Sequence, residues 1–177
     1  MKKKNTKAFE IALSAISAAI ATLFLSLGTL NNYLLALGTI VATLALTIPL
    51  SKSFWLGDLL AYIAASLLTL LFGGVAFIWR MLPFLTFFGL HPLANFLQFR
   101  LRIPKIPAFL FKALWFDGML YLTWRFVFDM TTNFAFVDAY ILPIIFIGGT
   151  LVFFVYDKMM IACQMSTNKM INKIRKD

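Results

Sequence analysis

The feature that most constrains this chain is a succession of apolar runs, each close to twenty residues long, separated by short polar or basic breaks. A helix needs roughly 20 apolar residues to cross a hydrocarbon core about 30 Å thick. With 62% hydrophobic and 13% charged residues, the chain has too little polar surface to enclose these runs in a water-soluble core. The sequence therefore predicts an all-α, polytopic membrane protein.

Charges, prolines and polar pairs divide the chain into a bundle of six predicted transmembrane helices. The clearest break is the loop Arg100–Pro107, which combines cations with two prolines. The predicted spans cover about 8–29, 33–50, 54–78, 81–99, 108–128 and 139–157. Residues 1–158 would form the transmembrane domain and residues 159–177 a basic, helical tail. The N-terminus imitates a signal peptide, but its apolar run continues through Leu30, which favours a retained first span.

The cations gather at one end of this predicted bundle. They are the lysines of residues 2–7, Lys52, the cations of the loop at 100–105, and those of the tail from Lys158 onward. The opposite connections carry Asp129 and Asp138, with Arg80 and Arg125 near span ends. Because cytoplasmic loops are enriched in Lys and Arg, and the number of spans is even, both termini are expected in the cytoplasm.

The fourth span contains three polar residues in an otherwise apolar run. His91, Asn95 and Gln98 fall at i, i+4 and i+7, so a helix places them on one face. An unpartnered polar group in hydrocarbon is costly, so this stripe is expected to face other helices. It either borders a ligand cavity or joins helices by hydrogen bonds; the sequence leaves both open.

The fifth span carries Asp117, Tyr121, Trp124 and Arg125 along one face. A lone carboxylate at mid-membrane costs about 2.5–3.5 kcal/mol, so Asp117 should be paired or protonated. Spans four and five run in opposite directions, which makes His91 the predicted partner of Asp117 at similar depth.

A second group of candidate residues lies near the predicted outer interface. Arg80, Trp124 and Arg125 belong to it, and span six can bring Tyr140 to the same layer. Two arginines beside aromatic rings suit a planar, negatively charged ligand. Each arginine could instead extend to lipid headgroups.

Small residues form rows four apart in spans one and three. Ala15 and Ala19 make one row, and Ala61 and Ala65 make another. Such rows let helix backbones approach closely in a membrane. They serve either for docking on a partner or for packing inside the chain.

Several functional classes find no support in the sequence. It has no recognisable catalytic motif and no phosphate-binding loop, so we expect no enzymatic activity. A single cysteine, Cys163, and a single histidine argue against a metal site, and no cofactor is expected. The net charge of +9 is explained by topology rather than by nucleic-acid binding.

Taken together, the six short spans, the N-terminal lysine cluster and the alanine rows resemble the substrate-binding S components of energy-coupling factor (ECF) vitamin transporters. The segments Ile48–Leu50, 59–68 and 87–93 add local similarity to a Gram-positive branch of that family. The resemblance implies a multi-pass protein of the bacterial cell membrane that works with a transmembrane coupling subunit and its ATPases. It also implies that Ala15, Ala19, Ala61 and Ala65 dock on that coupling subunit.

The expected function is therefore capture of a small, vitamin-like metabolite from outside the cell. The expected substrate-binding residues are Arg80, His91, Asn95, Asp117, Tyr121, Trp124, Arg125 and Tyr140. The alternative is a non-transport scaffold or accessory subunit, in which the same polar residues lock helices together and the basic tail binds lipid or a cytosolic protein.

Overall fold

The computed structural model describes residues 2–73, 78–126 and 135–174, and these residues are helical with no strand among them. The longer helices are α1 (Lys2–Leu30), α2 (Leu35–Leu50), α3 (Trp55–Gly73), α6 (Lys105–Phe126) and α9 (Thr150–Ile174). The shorter ones are α4 (Ile78–Pro83), α5 (His91–Arg100), α7 (Ala135–Ala139) and α8 (Ile141–Pro143). The all-α prediction is thus confirmed for the described residues. Asp129 and the tail residues beyond Ile174, for which predictions were made, lie outside the described residues.

The described residues include three helical stretches that are long and apolar enough to cross a membrane. They are Lys7–Leu30, Trp55–Gly73 and Ile141–Ile171, and the apolar helix Leu35–Leu50 is shorter. Helices satisfy their backbone hydrogen bonds internally, so they are suited to hydrocarbon. These lengths and compositions are compatible with a membrane protein, while the six-span topology stays a prediction.

Helices α1 and α2 form a tight antiparallel pair. The Ser17 hydroxyl donates to the Ala45 carbonyl over 2.7 Å near one end of the pair, and Gly28 approaches Gly38 near the other. A Cβ atom at position 38 would overlap the carbonyl oxygen of Phe24, so glycine is required there. Small residues therefore set the distance between these two helices.

The chain then alternates in direction through the rest of the bundle. Helix α3 runs parallel to α1, with Gly57 beside Ser14 and both Ala61 and Ala65 in the cluster of Ala18 and Ala21. Helix α6 is antiparallel to the segments before and after it, and α9 runs parallel to α2 and α5. One end of the bundle consequently collects the cations of the Ser51–Ser53 turn, the Arg100–Lys105 loop and α9. We call this the basic end and the opposite one the far end.

Two π-helical segments interrupt the later helices, at Phe84–Phe88 and Ile144–Gly149. Proline explains the first of them. Pro92 has no N–H, and its ring would clash with the carbonyl of Phe88 in a regular helix. The chain instead widens, with the Gly89 N–H donating to the Phe84 carbonyl over 2.9 Å, before α5 starts at His91. The predicted span over 81–99 therefore contains a π-helical segment and a turn between α4 and α5.

The sixth predicted span and the tail form one helix at their junction. Helix α9 continues from Thr150 through Lys158 to Ile174 without interruption, so nothing in the backbone divides residue 158 from residue 159. The prediction of a helical tail is confirmed up to Ile174.

The core has two parts. One buries α1, α2 and α3 around Leu25, Leu46 and Ala65, together with Phe84. The other surrounds Phe87 with aromatic side chains of α6 and α9, notably Phe116, Phe153 and Tyr156. Residues 81–88 join the two parts, because Phe84 belongs to the first and Phe87 to the second.

Candidate functional site

The predicted outer group of arginines and aromatics does not form one site. The Arg80 guanidinium donates from Nη1 to the Thr29 carbonyl over 2.8 Å, near the C-terminus of α1. Carbonyls in the last turn of a helix lack intrahelical partners, so this contact stabilises the helix end. Arg125 is exposed, and its guanidinium carbon lies 5.8 Å from the ring centroid of Phe126. Tyr140 is exposed and packs on Phe136, with ring centroids 5.0 Å apart.

Trp124 alone among that group lines a cavity at the far end. The cavity has a volume of about 430 Å³ and lies between α6 and the π-helical segment Ile144–Gly149. We call it the far-end cleft. Its lining residues are Phe116, Leu120, Thr123, Trp124, Ile141, Ile144, Ile145, Gly148, Gly149 and Val152. The walls are almost wholly apolar, and neither arginine nor Tyr140 contributes to them.

The indole of Trp124 is notable because its Nε1 is buried and has no hydrogen-bond partner within the described part of the chain. A buried donor without a partner costs about 1–3 kcal/mol. Tyr121 lies beside this ring, with centroids 5.9 Å apart, but lines a separate cavity on α6 with Trp115 and Thr86. Trp124 therefore presents both an aromatic face and an unused donor next to the cleft.

Asp117 lies directly behind the wall of the far-end cleft. Its Oδ2 accepts a hydrogen bond from the Thr150 hydroxyl over 2.9 Å, while Oδ1 is buried without a partner among the described residues. A Cβ atom at Gly149 would stand 2.5 Å from that Oδ1. At Gly148 an added Cβ would meet nothing within 4 Å. Gly149 thus has no side chain on the side that faces the Asp117 carboxylate.

The predicted pairing of His91 with Asp117 is wrong. His91 contacts Asp157 of α9 instead, with Nε2 and Oδ1 3.1 Å apart. The widened backbone before His91 and the register of α9 bring these two side chains together.

His91 belongs to a buried polar network that joins α5, α6 and α9. The Lys112 ammonium donates to Asp157 Oδ1 over 2.6 Å and to Asn95 Oδ1 over 2.7 Å. All four side chains are buried, and His91 and Asn95 are wholly inaccessible. The charges of Lys112 and Asp157 cancel, which limits the cost of placing them in the apolar interior. We call these four residues the polar network.

The polar network retains unused hydrogen-bonding groups. Nδ1 of His91 and Nδ2 of Asn95 are buried without partners in the part of the chain that the structure describes. The imidazole also packs on aromatic rings, with its centroid 5.0 Å from those of Phe87 and Tyr156. Phe116 packs on Phe153 in the same aromatic cluster and also lines the far-end cleft. An aromatic layer thus separates the network from the cleft.

The sequence prediction of a buried stripe at His91, Asn95 and Gln98 is confirmed, since all three side chains are buried in α5. Lys112 and Asp157 were not among the residues predicted from the sequence. A signal was present, because a lysine inside an apolar span is as unusual as an aspartate and marks a paired group.

The two alanine rows differ in their surroundings. Ala61 and Ala65 are buried against α1, in the cluster that contains Ala18 and Ala21. Ala15 and its row partner at position 19 are exposed. Only the row on α1 is therefore available at the surface of this chain.

Comparison with protein-family models, with curated proteins and with solved structures finds no match to this chain. The functional assignment accordingly depends on the residues themselves.

Proposed function

We propose that this chain is a six-span protein of the bacterial cell membrane, with both termini in the cytoplasm, that captures a small planar metabolite from outside. In this proposal it acts as the S component of an ECF-type importer. The observation that carries it is the far-end cleft, an apolar cavity lined by Trp124, whose buried indole N–H has no partner among the described residues. The carboxylate of Asp117 lies behind the wall of this cleft. The concentration of cations at the basic end supports an outward orientation of this cleft.

The chemistry of the cleft defines the class of ligand. Apolar walls and the face of Trp124 favour a flat, aromatic or conjugated ring system. In this proposal, a ligand N–H or O–H that reaches behind Gly149 would donate to Asp117 Oδ1, which has no partner among the described residues. The ligand would also carry an acceptor for the Trp124 N–H. This is a narrower class than the anionic metabolite suggested by the arginines, neither of which lines the cleft.

The surrounding backbone supports a binding role. The residues Ile144–Gly149 are π-helical, and such widened turns recur at functional sites because they re-aim side chains and weaken the regular hydrogen-bond ladder. The exposed row of Ala15 and Ala19 offers a surface that a coupling subunit could approach closely. In this proposal that subunit and its ATPases supply the energy for release to the cytoplasm.

A second candidate function has its own support. A non-transport scaffold is favoured by the polar network, in which the charges of Lys112 and Asp157 are neutralised inside the chain. Ala61 and Ala65 also favour a scaffold, because both are buried by packing inside the chain. A scaffold needs no ligand in the far-end cleft.

Small-molecule mass spectrometry of the detergent-purified protein distinguishes the two functions. We expect the wild-type chain to release a ring compound on denaturation, and Asp117→Asn or Trp124→Phe to lower its recovery. The matched control is Trp55→Phe, because Trp55 lies at the start of α3 near the basic end and outside the cleft. Equal recovery from all variants, or no compound from a folded wild type, would refute capture in this cleft.

A further inference from the structure

The basic end contains two cavities with different chemistry. The larger, about 700 Å³, lies between α5 and α9, and Arg100 is the cation in its lining. The smaller, about 400 Å³, lies between the start of α6 and the middle of α9, and three lysines line it. We call the smaller one the lysine cavity. Its lining residues are Gln98, Phe99, Lys105, Ile106, Phe109, Leu110, Lys112, Phe154, Asp157, Lys158 and Ile161.

From its charge and shape, we infer that the lysine cavity binds the headgroup of an anionic phospholipid from the leaflet at the basic end. The lining contains three lysines, at positions 105, 112 and 158, and a single carboxylate, that of Asp157, so two positive charges are in excess. Lys112 is already bound to Asp157 at 2.6 Å. Lys105 and Lys158 are exposed at the cavity, where they can meet a phosphate. This inference does not depend on the proposed transport function.

Two further features of the cavity suit a phosphate group. Lys105 begins α6, and the Ala108 N–H donates to the carbonyl of Pro104, the residue before the helix. The N–H groups of Lys105 and Ile106 precede this bond, whereas Pro107 has no N–H. A helix N-terminus of this kind attracts anions. The ammonium of Lys158 lies 5.5 Å from the ring centroid of Phe154, and this contact holds the charge beside the cavity.

Gln98 supplies an independent sign of a ligand. Its side chain is 9% exposed and lines the cavity, and its Oε1 is buried without a partner within the described residues. A side-chain amide that ends in a cavity can accept a hydrogen bond from a ligand hydroxyl and donate one to a phosphate oxygen. A hydroxyl-bearing anionic headgroup, such as that of phosphatidylglycerol, satisfies both.

The walls of the lysine cavity favour a lipid over a water-soluble phosphate. Ile106, Leu110 and Phe154 line it and are themselves largely exposed on the outside of the bundle. An acyl chain would cover these side chains while the headgroup binds the lysines. Basic pockets between helices at the cytoplasmic side of a membrane are suited to anionic headgroups.

The test measures lipid binding to the intact, delipidated protein by native mass spectrometry. Phosphatidylglycerol and phosphatidylcholine are added at matched concentrations to the wild type, to a Lys105→Gln/Lys158→Gln double variant and to a Lys169→Gln/Lys173→Gln control. Lys169 and Lys173 are exposed on the same helix α9 but do not line the cavity. Each lysine near an anionic headgroup contributes a factor of about five to the affinity, so we expect the first double variant to bind about twenty-five-fold more weakly.

Gln98→Leu provides a second variant in which the net charge is unchanged. We expect it to weaken phosphatidylglycerol binding while leaving phosphatidylcholine binding as in the wild type. If the two lysine double variants lost the same affinity for phosphatidylglycerol, the binding would depend on net positive charge and not on this cavity, and the inference would be overturned. Displacement of the lipid by glycerol phosphate at equal concentration would show a site for a soluble phosphate and would overturn it as well.

Discussion

Replacing Lys112 by methionine tests whether the polar network stabilises the bundle. The substitution keeps an unbranched side chain of similar length but removes the hydrogen bonds of 2.6 Å to Asp157 and 2.7 Å to Asn95. The carboxylate of Asp157 then remains buried and keeps its contact with His91, whose Nε2 lies 3.1 Å from Oδ1. Removing one partner of a buried ion pair lowers the free energy of unfolding by about 3–5 kcal/mol. Because the contact with His91 remains, we expect Lys112→Met to lose about 3 kcal/mol.

The reverse substitution and the double variant separate the pair from its surroundings. We expect Asp157→Leu alone to cost about as much, because it leaves the ammonium of Lys112 buried without its counter-charge. The double variant should lose less than either single variant, since a methionine beside a leucine has no charge to solvate. This pattern corresponds to a coupling energy of at least about 3 kcal/mol.

The assay is reversible unfolding in detergent micelles with increasing dodecyl sulfate, followed by circular dichroism. Lys105→Met is the matched control, because Lys105 lies on the same helix with an exposed side chain, and its loss should change the free energy of unfolding by less than about 0.5 kcal/mol. Additive losses in the double variant, or a loss below about 1 kcal/mol in Lys112→Met, would refute the reasoning.

Two further predictions concern the cleft wall and the topology. Gly149→Ala should destabilise the fold by about 1–3 kcal/mol in the same assay, because its Cβ would meet Asp117, whereas Gly148→Ala should be close to neutral since nothing lies within 4 Å. Similar losses in both would contradict the described wall. In a cysteine-free background, Asn31→Cys at the far end should react with an impermeant thiol reagent added to intact cells, and Ser53→Cys at the basic end only after permeabilisation. The opposite pattern would invert the orientation.

Hydropathy and helical periodicity predicted the elements of this fold better than they predicted its side-chain pairs. The buried face of α5 followed from the spacing of His91, Asn95 and Gln98, because these residues lie within one regular helix. The partner of His91 did not follow. A π-helical turn adds a residue relative to an α-helical one, so it rotates every later side chain by about 100° relative to the regular pattern. The segment Ile144–Gly149 lies before Asp157, and regular spacing therefore cannot tell which way that carboxylate faces.

The alanine rows show a different limit of sequence reasoning. Helix α1 carries small residues on two faces, and each face has a pair four apart: Ser17 with Ala21, and Ala15 with Ala19. Ala18 and Ala21 are buried in the core, while Ala15 and Ala19 are exposed. The choice between the faces is made by the rotation of α1 against α2 and α3, which depends on contacts such as Gly28 with Gly38. Residue spacing within one helix does not contain that information.

The division of the core has a consequence for the biogenesis of this protein. Helices α1, α2 and α3 share one core cluster that also includes Met81 and Phe84, so the cluster is incomplete until these two residues have been synthesised. Phe87, one helical turn later, belongs to the aromatic cluster that requires α9. Residues 81–88 therefore complete the first cluster and begin the second. A chain that ends after these residues lacks the α9 side chains that surround Phe87, so its aromatic surface stays uncovered until the last helix is made.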